Sequence, residues 1–282
     1  MKKQLLLTLA AACLFSSPVL AASSAEISGG SLGLFTGRDA SSNAIGYDVS
    51  YPECRTTLPA VRQFTIVGVN GGLARTQNPC LSTELTWAET ATGKVAQPPV
   101  ALYVNTGNPG DVTPAVADWP TSGMSPLYGA CNGTDSIACA YIYGRRRAAQ
   151  DVAWAQAANM RVPGSHWWLD VETTNSWSDN QAANAADLEA MTATIRRAGG
   201  IVGVYSAGDQ WGQIVGNYDG AARYLNLGML NGLSDWVAGA TSLEQAQAMC
   251  TNFTPFTSGG YASMTQYVPD GATIDSDYSC RR

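Results

Sequence analysis

Short apolar runs that end on polar residues recur along the chain and alternate with stretches of helical spacing. Such runs are typical of buried strands, whereas apolar positions three or four residues apart are typical of helices. The predicted strands are Ala44–Ser50, Phe64–Asn70, Val100–Asn105, His166–Glu172, Ile201–Ser206, Asp235–Gly239, Ala262–Tyr267 and Thr273–Asp275. The predicted helices are Leu58–Arg62, Cys80–Ala91, Gly144–Met160, Asn184–Ala198 and Leu243–Cys250.

Alternating strands and helices favour a parallel sheet, and eight strands are enough to close a TIM-type α/β barrel. Polar residues lie near the strand ends where such a barrel collects its active groups. They are Asp48, Asn70, Asn105, Asp170, Glu172, Tyr205, Gln266 and Asp275. An open doubly wound sheet is the alternative, but the chain has no Gly-x-Gly-x-x-Gly turn to support it.

The first 21 residues have the charged, apolar and small-residue regions of a secretory signal peptide ending at Ala21. A lipoprotein signal through Cys13 is an alternative interpretation. Residues 22–43 are small and rich in Gly and Ser, which indicates a flexible leader before a single barrel domain over residues 44–282. We expect no membrane span, a secreted, periplasmic or cell-wall-associated location, and a monomer.

The chain is acidic, with a formal net charge of −6, which argues against a nucleic-acid partner. Beyond Cys13 it has six cysteines, an even number that indicates disulfides in an exported protein. Six cysteines allow fifteen pairings, and sequence neighbours cost the least entropy to join. We therefore expect the pairs Cys54 with Cys80, Cys131 with Cys139, and Cys250 with Cys280.

The run His166–Glu172 delivers two acids from an apolar, Trp-rich strand. Strand side chains alternate faces, so Trp168, Asp170 and Glu172 share one side. Two residues along a strand rise about 6.6 Å, close enough for one carboxylate to raise the pKa of the other. This arrangement predicts a general acid beside an anionic stabiliser, and Asp48 at the end of the first strand is a further candidate.

The single histidine, His166, lies at the start of the strand that carries these acids. A histidine zinc site needs more than one histidine, and a Ser-His-Asp triad needs its histidine at the catalytic face, so we expect no metal and no cofactor. Trp177 and Trp211 follow strand ends, where their rings suit stacking on sugars. Trp87 has the spacing of a core residue, whereas Trp119 lies in a long insertion, 108–144, and is open to either interpretation.

Five short blocks of sequence appear in an order that resembles the family 25 glycoside hydrolases, the lysozyme-type muramidases, and related secreted glycoside-hydrolase-like domains. The blocks are Gly46–Ser50, Leu169–Glu172, Gly203–Ser206 followed by Trp211, Gln266–Tyr267, and Ile274–Asp275. The resemblance implies an irregular barrel of about five β/α units followed by three strands. The chain departs from the family pattern at Glu53, at Thr265, and in the acid doublet of Asp275 and Asp277.

The resemblance also implies cleavage of peptidoglycan or a similar N-acetylated polysaccharide. Glu172 would be the general acid and base, Asp170 would position the acetamido group, and Asp48 and Asp275 would be further carboxylates of the cleft. A substrate-assisted, retaining route is favoured. The expected sugar-binding residues are Tyr205, Trp177, Trp211, Asn70, Asn105, Gln266 and Tyr267. Alternatives are a non-catalytic glycan-binding barrel and a surface interaction domain whose insertion covers the cleft.

Overall fold

Eight of the strands in the computed structural model close into a barrel. The structure describes residues 44–110, 118–216 and 228–280, so the predicted signal peptide and leader lie outside the described residues. The barrel strands are β1 Ile45–Val49, β2 Phe64–Gly68, β3 Val100–Asn105, β6 His166–Asp170, β7 Ile201–Ser206, β8 Ser234–Ala240, β9 Tyr261–Tyr267 and β10 Asp275–Ser279. Two short strands, β4 Gly123–Ser125 and β5 Gly129–Cys131, form a separate hairpin.

Five α-helices are described: α1 Leu81–Ala88, α2 Ile137–Ala157, α3 Gln181–Arg197, α4 Gly208–Val215 and α5 Leu243–Met249. The predicted α/β barrel is therefore confirmed. Within the described part of the chain, no helix is both long and apolar enough to cross a bilayer.

The last strand of the barrel runs against the others. β1, β2, β3, β6, β7, β8 and β9 pair in parallel, whereas β10 pairs antiparallel with both β9 and β1. The start of β10 therefore lies at the edge where the parallel strands end. This arrangement aligns Asp275, the first residue of β10, with Asp48 near the end of β1.

Strand alternation separates an inner core from an outer one. Trp168 packs inside the barrel with Phe64, Ile66 and Trp236. Its neighbour Trp167 belongs to the outer core between strands and helices. The barrel interior is crowded, because a Cβ atom on Gly203 of β7 would lie 2.3 Å from the Trp168 ring. The floor of the cleft is thus formed by aromatic side chains in close contact.

Residues 58–62 do not form the predicted helix. Pro59 cannot donate a backbone hydrogen bond, and the carbonyls of Pro59 and Ala60 instead accept from the Arg62 guanidinium at 2.8 and 2.9 Å. The guanidinium also lies 4.4 Å above the Trp87 ring. A buried arginine therefore organises this connection, and Trp87 packs at the edge of the outer core as predicted.

Helix α2 begins at Ile137, well before the predicted start at Gly144. The Ser136 side chain caps it by accepting from the Cys139 amide, a local signal that the apolar periodicity did not include. The described part of the insertion contains the β4–β5 hairpin, which packs against α2. Because α2 starts early, Arg145, Arg146 and Arg147 lie inside the helix rather than at its start.

Helix α4 was not predicted, and β10 begins at Asp275 where the predicted strand ended. Ser276, Asp277 and Ser279 are polar yet buried, so the apolar pattern did not identify the strand. All three predicted disulfides are present: Cys54–Cys80, Cys131–Cys139 and Cys250–Cys280.

Candidate active site

A cleft of about 390 Å³ opens where the parallel strands end. It is lined by Asp48, Tyr103, Asp170, Glu172, Tyr205, Trp236, Gln266 and Asp275. The four predicted acids are therefore brought together, along with two of the predicted sugar-binding residues. Tyr103 and Trp236 complete the lining and were not predicted.

Three elements deliver the four carboxyl groups. β6 supplies Asp170 as its last residue and Glu172 just beyond it, while β1 supplies Asp48. Asp275 reaches the same edge because β10 is antiparallel. The chain thus places four acids around one opening from strands that run in both directions.

Gln266 connects two of the acids with a tyrosine. Its Nε2 donates to Asp48 Oδ2 at 3.0 Å and to Asp275 Oδ2 at 3.3 Å. Its Oε1 accepts from the Tyr205 hydroxyl at 2.7 Å. The Tyr205 hydroxyl therefore sets the orientation of the amide so that its NH₂ group faces the carboxylates.

Asp170 and Glu172 differ in their access to water. Asp170 is only 5% exposed, and its Oδ1 has no hydrogen-bond donor among the described residues. Burial, then the charges of Glu172 and Asp48, raises the pKa of Asp170 well above its usual range. Glu172 is half-buried, and burial together with the charge of Asp275 raises its pKa too. Both shifts favour the protonated form relative to a carboxyl group in water.

Asp48 lies beside two further acids of β10. Loss of water contact, followed by the charge of Asp275, raises the pKa of Asp48 to about 7, while the hydrogen bond from Gln266 opposes the change. Burial alone raises the pKa of Asp275. The fully buried Asp277 contacts Asp48 from below the cleft and has a pKa far above its usual range, owing to burial and to the Asp48 charge.

A family model described as "Lysozyme-like protein 1" matches residues 142–267. The curated "Probable GH family 25 lysozyme 4" of Dictyostelium discoideum is 37% identical over 57 residues, covering 20% of this chain and 26% of that protein. The chain therefore spans about a quarter of the length of the curated relatives it matches.

The chain is similar to the family 25 lysozymes. The resemblance inferred from the sequence is confirmed by the family model and by the curated relative. The matched segment includes Asp170, Glu172, Tyr205 and Gln266, whereas Asp48 and Asp275 lie outside it.

Solved structures similar to this chain include two enzymes. The spore cortex lytic enzyme SleM of Clostridium perfringens has a TM-score of 0.49 at 9% identity, covering 84% of this chain and 67% of that chain. The modular Cpl-1 endolysin, complexed with a peptidoglycan analogue, has a TM-score of 0.48 at 16% identity, covering 84% of this chain and 54% of that chain.

The loop after β6 holds the backbone of Asp170 and Glu172 through side-chain hydrogen bonds. Trp177 Nε1 donates to the Glu172 carbonyl at 2.8 Å, and Asn175 Nδ2 donates to the Asp170 carbonyl at 3.2 Å. Thr106, after β3, donates to the same Asp170 carbonyl through its hydroxyl and its amide. Trp177 itself lines a neighbouring groove with Thr173, so its ring is beside the cleft rather than in it.

Two of the predicted sugar-binding residues, Asn70 and Asn105, lie at strand ends outside the cleft lining. Asn70 is fully buried, where it donates to Asp151 on α2 at 2.9 Å and accepts from the Asn105 amide at 2.8 Å. This asparagine ties the end of β2 to β3 and to helix α2. Its polar groups are therefore used inside the protein.

Trp211 and Tyr267 were also predicted to contact sugar, but the structure places both away from the cleft lining. Trp211 is 4% exposed on α4 and stacks on Phe256 at 5.6 Å between ring centres. Tyr267 points to the outside of the barrel, where it packs with Ala240 and Ala246. These rings offer no open face to a ligand in the cleft, because α4 turns one inward and strand alternation turns the other outward.

Three residues of the site region were missed: Tyr103, Trp236 and Asp277. Each occupies an inward position and pairs with an inward residue of the neighbouring strand: Tyr103 with Trp168, Trp236 with Tyr205, and Asp277 with Gln266. Because strand side chains alternate between the two faces of a sheet, one inward residue on each strand would have identified the others. That step also requires the register between neighbouring strands, which the sequence does not give.

The described residues contain one group of side chains with the spacing of a metal site: Cys54, Cys80 and Glu84. The two sulfur atoms are joined in a disulfide, so they are not thiolate ligands. His166 lies at the opposite end of β6 from the acids, and burial lowers its pKa. The chemistry of the cleft is therefore that of carboxyl groups, an amide and aromatic rings.

Proposed function

We propose that the protein is an exported glycoside hydrolase that cleaves peptidoglycan or a similar N-acetylated polysaccharide. The observation that carries this proposal is the convergence of Asp170 and Glu172 with Asp48 and Asp275 around one cleft. Glycoside hydrolysis needs a protonated carboxyl group for the leaving oxygen and negative charge near the developing oxocarbenium ion. The lysozyme names of the matching family model and relatives support the same reaction class.

Glu172 is the proposed proton donor, because it retains access to the opening while its raised pKa favours the protonated form. As the glycosidic oxygen leaves with that proton, the sugar's own acetamido oxygen attacks the anomeric carbon. Water then opens the resulting ring, and the Glu172 carboxylate takes a proton from that water. Two inversions at the same carbon give overall retention of configuration.

Asp170 is the proposed partner of the acetamido group. Burial and the neighbouring negative charges raise its pKa, and the positive charge that develops on the reacting sugar would offset this rise by favouring its carboxylate form. Asp48 and Asp275 lie on the other side of the cleft, linked by the Gln266 amide. They are placed to balance positive charge on the sugar, and the buried rings of Tyr205 and Trp236 form the floor of the cleft beneath it.

The three disulfides are typical of proteins that work in an oxidising compartment outside the cytoplasm. An extracellular or cell-wall-associated location fits a polymer that is itself outside the cell. The predicted signal peptide would supply the export route.

A dye-release assay tests the proposed function. Wild-type protein, Glu172→Gln and the control Glu89→Gln are incubated with dyed peptidoglycan, a chitin-like polymer and an α-glucan. Glu89 is exposed after α1, at the opposite end of the barrel. We expect release from the N-acetylated polymers by wild type and Glu89→Gln, and a decrease of about 10²- to 10⁴-fold for Glu172→Gln.

Equal release by all three proteins would remove Glu172 from the mechanism. Binding to a polymer without release by wild type would indicate the non-catalytic glycan-binding barrel instead. Release from the α-glucan alone would contradict the substrate-assisted route, because that polymer has no acetamido group to act as nucleophile.

A further inference from the structure

Asp277 is a buried acid for which the proposed mechanism has no use. It lies on β10 two residues after Asp275, opposite Gly46 of β1, and its side chain is fully buried. Trp236 Nε1 donates to Asp277 Oδ1 at 2.8 Å. Asp277 Oδ2 is also buried, and no N–H or hydroxyl group in the described ranges donates to it. An ionised carboxylate in this position would leave one charged oxygen without a partner, which is costly.

The group that Asp277 contacts is the carboxyl of Asp48. Asp277 pairs with Gly46 of β1, which has no side chain, and with Gln266 of β9, which donates to Asp48. Its unpartnered oxygen therefore lies next to the Asp48 carboxyl, on the same inward face of the barrel. Two carboxylates cannot hydrogen-bond to each other, because neither has a donor. Asp48 Oδ2 already accepts from Gln266, so Asp48 has the environment of a charged acceptor. The proton of the pair therefore belongs on Asp277, at the oxygen that Trp236 does not use.

Among the described residues, no cation contributes to the pKa of Asp277 or favours its ionised form. The titratable groups around it are Asp48 on β1, Asp275 on β10 and the outward-facing Tyr267 on β9. Burial and the negative charges both oppose ionisation, and the indole N–H of Trp236 is the opposing influence. The Asp48 charge raises the pKa of Asp277, so the pair favours a single negative charge, carried by Asp48.

We infer that Asp277 is a positioning residue: a protonated carboxylic acid that donates a hydrogen bond to Asp48 and so fixes the Asp48 carboxylate beneath the cleft. Gln266 donates to Asp48 from the other side, which leaves the carboxylate little freedom to rotate. The same acid holds the indole of Trp236, whose ring packs 4.4 Å from Tyr205 between ring centres. The effect of Asp277 on turnover rests on the proposed function, whereas its hydrogen bond to Asp48 does not.

Infrared spectroscopy tests the hydrogen bond without any measurement of activity. The carbonyl stretch of protonated carboxyl groups is recorded at pH 8 for wild type, Asp277→Asn and the exposed control Glu89→Gln. Other buried acids, such as Asp151 and Asp170, also contribute to this absorption. We therefore expect the same band in wild type and the control, and the loss of one component of it in the difference spectrum between wild type and Asp277→Asn. An unchanged band in Asp277→Asn would overturn the assignment of the proton.

Activity then tests the positioning role by comparing Asp277→Asn with Asp277→Leu. An asparagine can donate to Asp48 and accept from Trp236, whereas a leucine of similar size can do neither. We expect kcat within about threefold of wild type for Asp277→Asn and at least about tenfold lower for Asp277→Leu, the loss of one hydrogen bond to a charged group. Most of the loss should be in kcat rather than in KM.

Equal kcat for the two variants would overturn the positioning role. If Asp277→Leu does not fold, the infrared band and the activity of Asp277→Asn still test the proposal. A tenfold loss of activity in Asp277→Asn would overturn the positioning role, because the amide also donates to Asp48. If wild type cleaves no polymer, the proposed function fails, and the infrared result still accepts or rejects the shared proton.

Discussion

Glu172 and Asp170 are two residues apart, yet their surroundings assign them different tasks. Glu172 keeps one side toward the opening, where a proton donor must meet its substrate, whereas Asp170 is enclosed by β3, β6 and the loop after β6. The charge of Asp275 is the second cause of the raised pKa of Glu172, after burial. The proton-donating state of Glu172 therefore depends on an acid from a distant part of the sequence.

Asp275→Asn should lower the pKa of Glu172. A raised pKa keeps the acid protonated at a higher pH, and removing the Asp275 charge removes one cause of that rise. In carboxyl ¹³C NMR of protein labelled at glutamate, the Glu172 titration should move to lower pH. The alkaline decline of kcat/KM should move in the same direction. An unmoved Glu172 titration would show that burial alone sets its pKa.

Tyr205→Phe should lower activity by about tenfold. The substitution removes the hydroxyl that donates to Gln266 Oε1 and leaves the amide free to turn its oxygen toward Asp48 and Asp275. Tyr278→Phe is the matched control, because Tyr278 packs on the outside of the barrel. The assay is polymer hydrolysis with both variants at equal concentration. Similar activity in the two variants would contradict the orienting role of Tyr205.

The four cleft acids could be predicted from the sequence, because each follows or ends a recognisable run of strand residues. Asp275 was predicted for a partly wrong reason, since it begins β10 rather than ending a strand. Trp211 and Tyr267 could not be excluded from the sequence, because whether a ring faces a ligand or the core depends on the helix and the sheet register around it.

The elements of the barrel follow from local patterns where those patterns are apolar. β2, β3, β6 and β7 were predicted nearly in full, because both of their faces are buried and their sequences are continuous apolar runs. α4 was missed because it is only eight residues long and contains two glycines. β10 was displaced because its buried positions carry Ser and Asp, which the pattern treats as exposed.

Gly203→Ala should destabilise the barrel at β7. The added Cβ would lie 2.3 Å from the Trp168 ring, which is held between neighbouring strands, so the ring has to move. Overpacking of this kind costs about 1–3 kcal/mol in unfolding free energy. Because Trp168 lies under the cleft acids, activity should fall as well. Urea unfolding and polymer hydrolysis measure the two effects.

Gly212→Ala is the matched control for that substitution. Gly212 lies within α4, and nothing lies within 4 Å of the position a Cβ would take. Alanine is favoured over glycine inside a helix by about 0.5–1 kcal/mol, so this variant should be as stable as wild type or more so. A similar loss of stability in both variants would show that contact with Trp168 is not the cause.

The whole molecule contains buried acids outside the cleft as well. Asp151 of α2 is fully buried and accepts from Asn70 Nδ2, while its Oδ2 has no partner in the described segments. Burial raises its pKa to about 8. In the unfolded chain an aspartate ionises near pH 4, so between about pH 4 and pH 8 the unfolded state loses the proton first. The contribution of Asp151 to stability therefore decreases as pH rises through that window.

Asp151→Asn should remove this dependence. The amide still accepts from Asn70 and has no proton to lose, so the variant should gain stability relative to wild type as pH rises from 4 to 8. The gain is at most about 1.4 kcal/mol for each pH unit crossed. Thermal unfolding of wild type, Asp151→Asn and the exposed control Asp270→Asn across this range measures it. Parallel curves for wild type and Asp151→Asn would contradict the raised pKa.

β10 is the last barrel strand to be synthesised, and it closes the barrel between β9 and β1. β1 leaves the ribosome early but finds one of its two neighbours only when residues 275–279 follow, and until then the sheet is open at β1 and β9. Open sheet edges are sites of aggregation, so the growing chain is exposed to this hazard until that segment has been made. Asp275 and Asp277 arrive with the same segment. A hydrolase of the proposed kind would thus be unable to cut its polymer before its own translation has passed that segment.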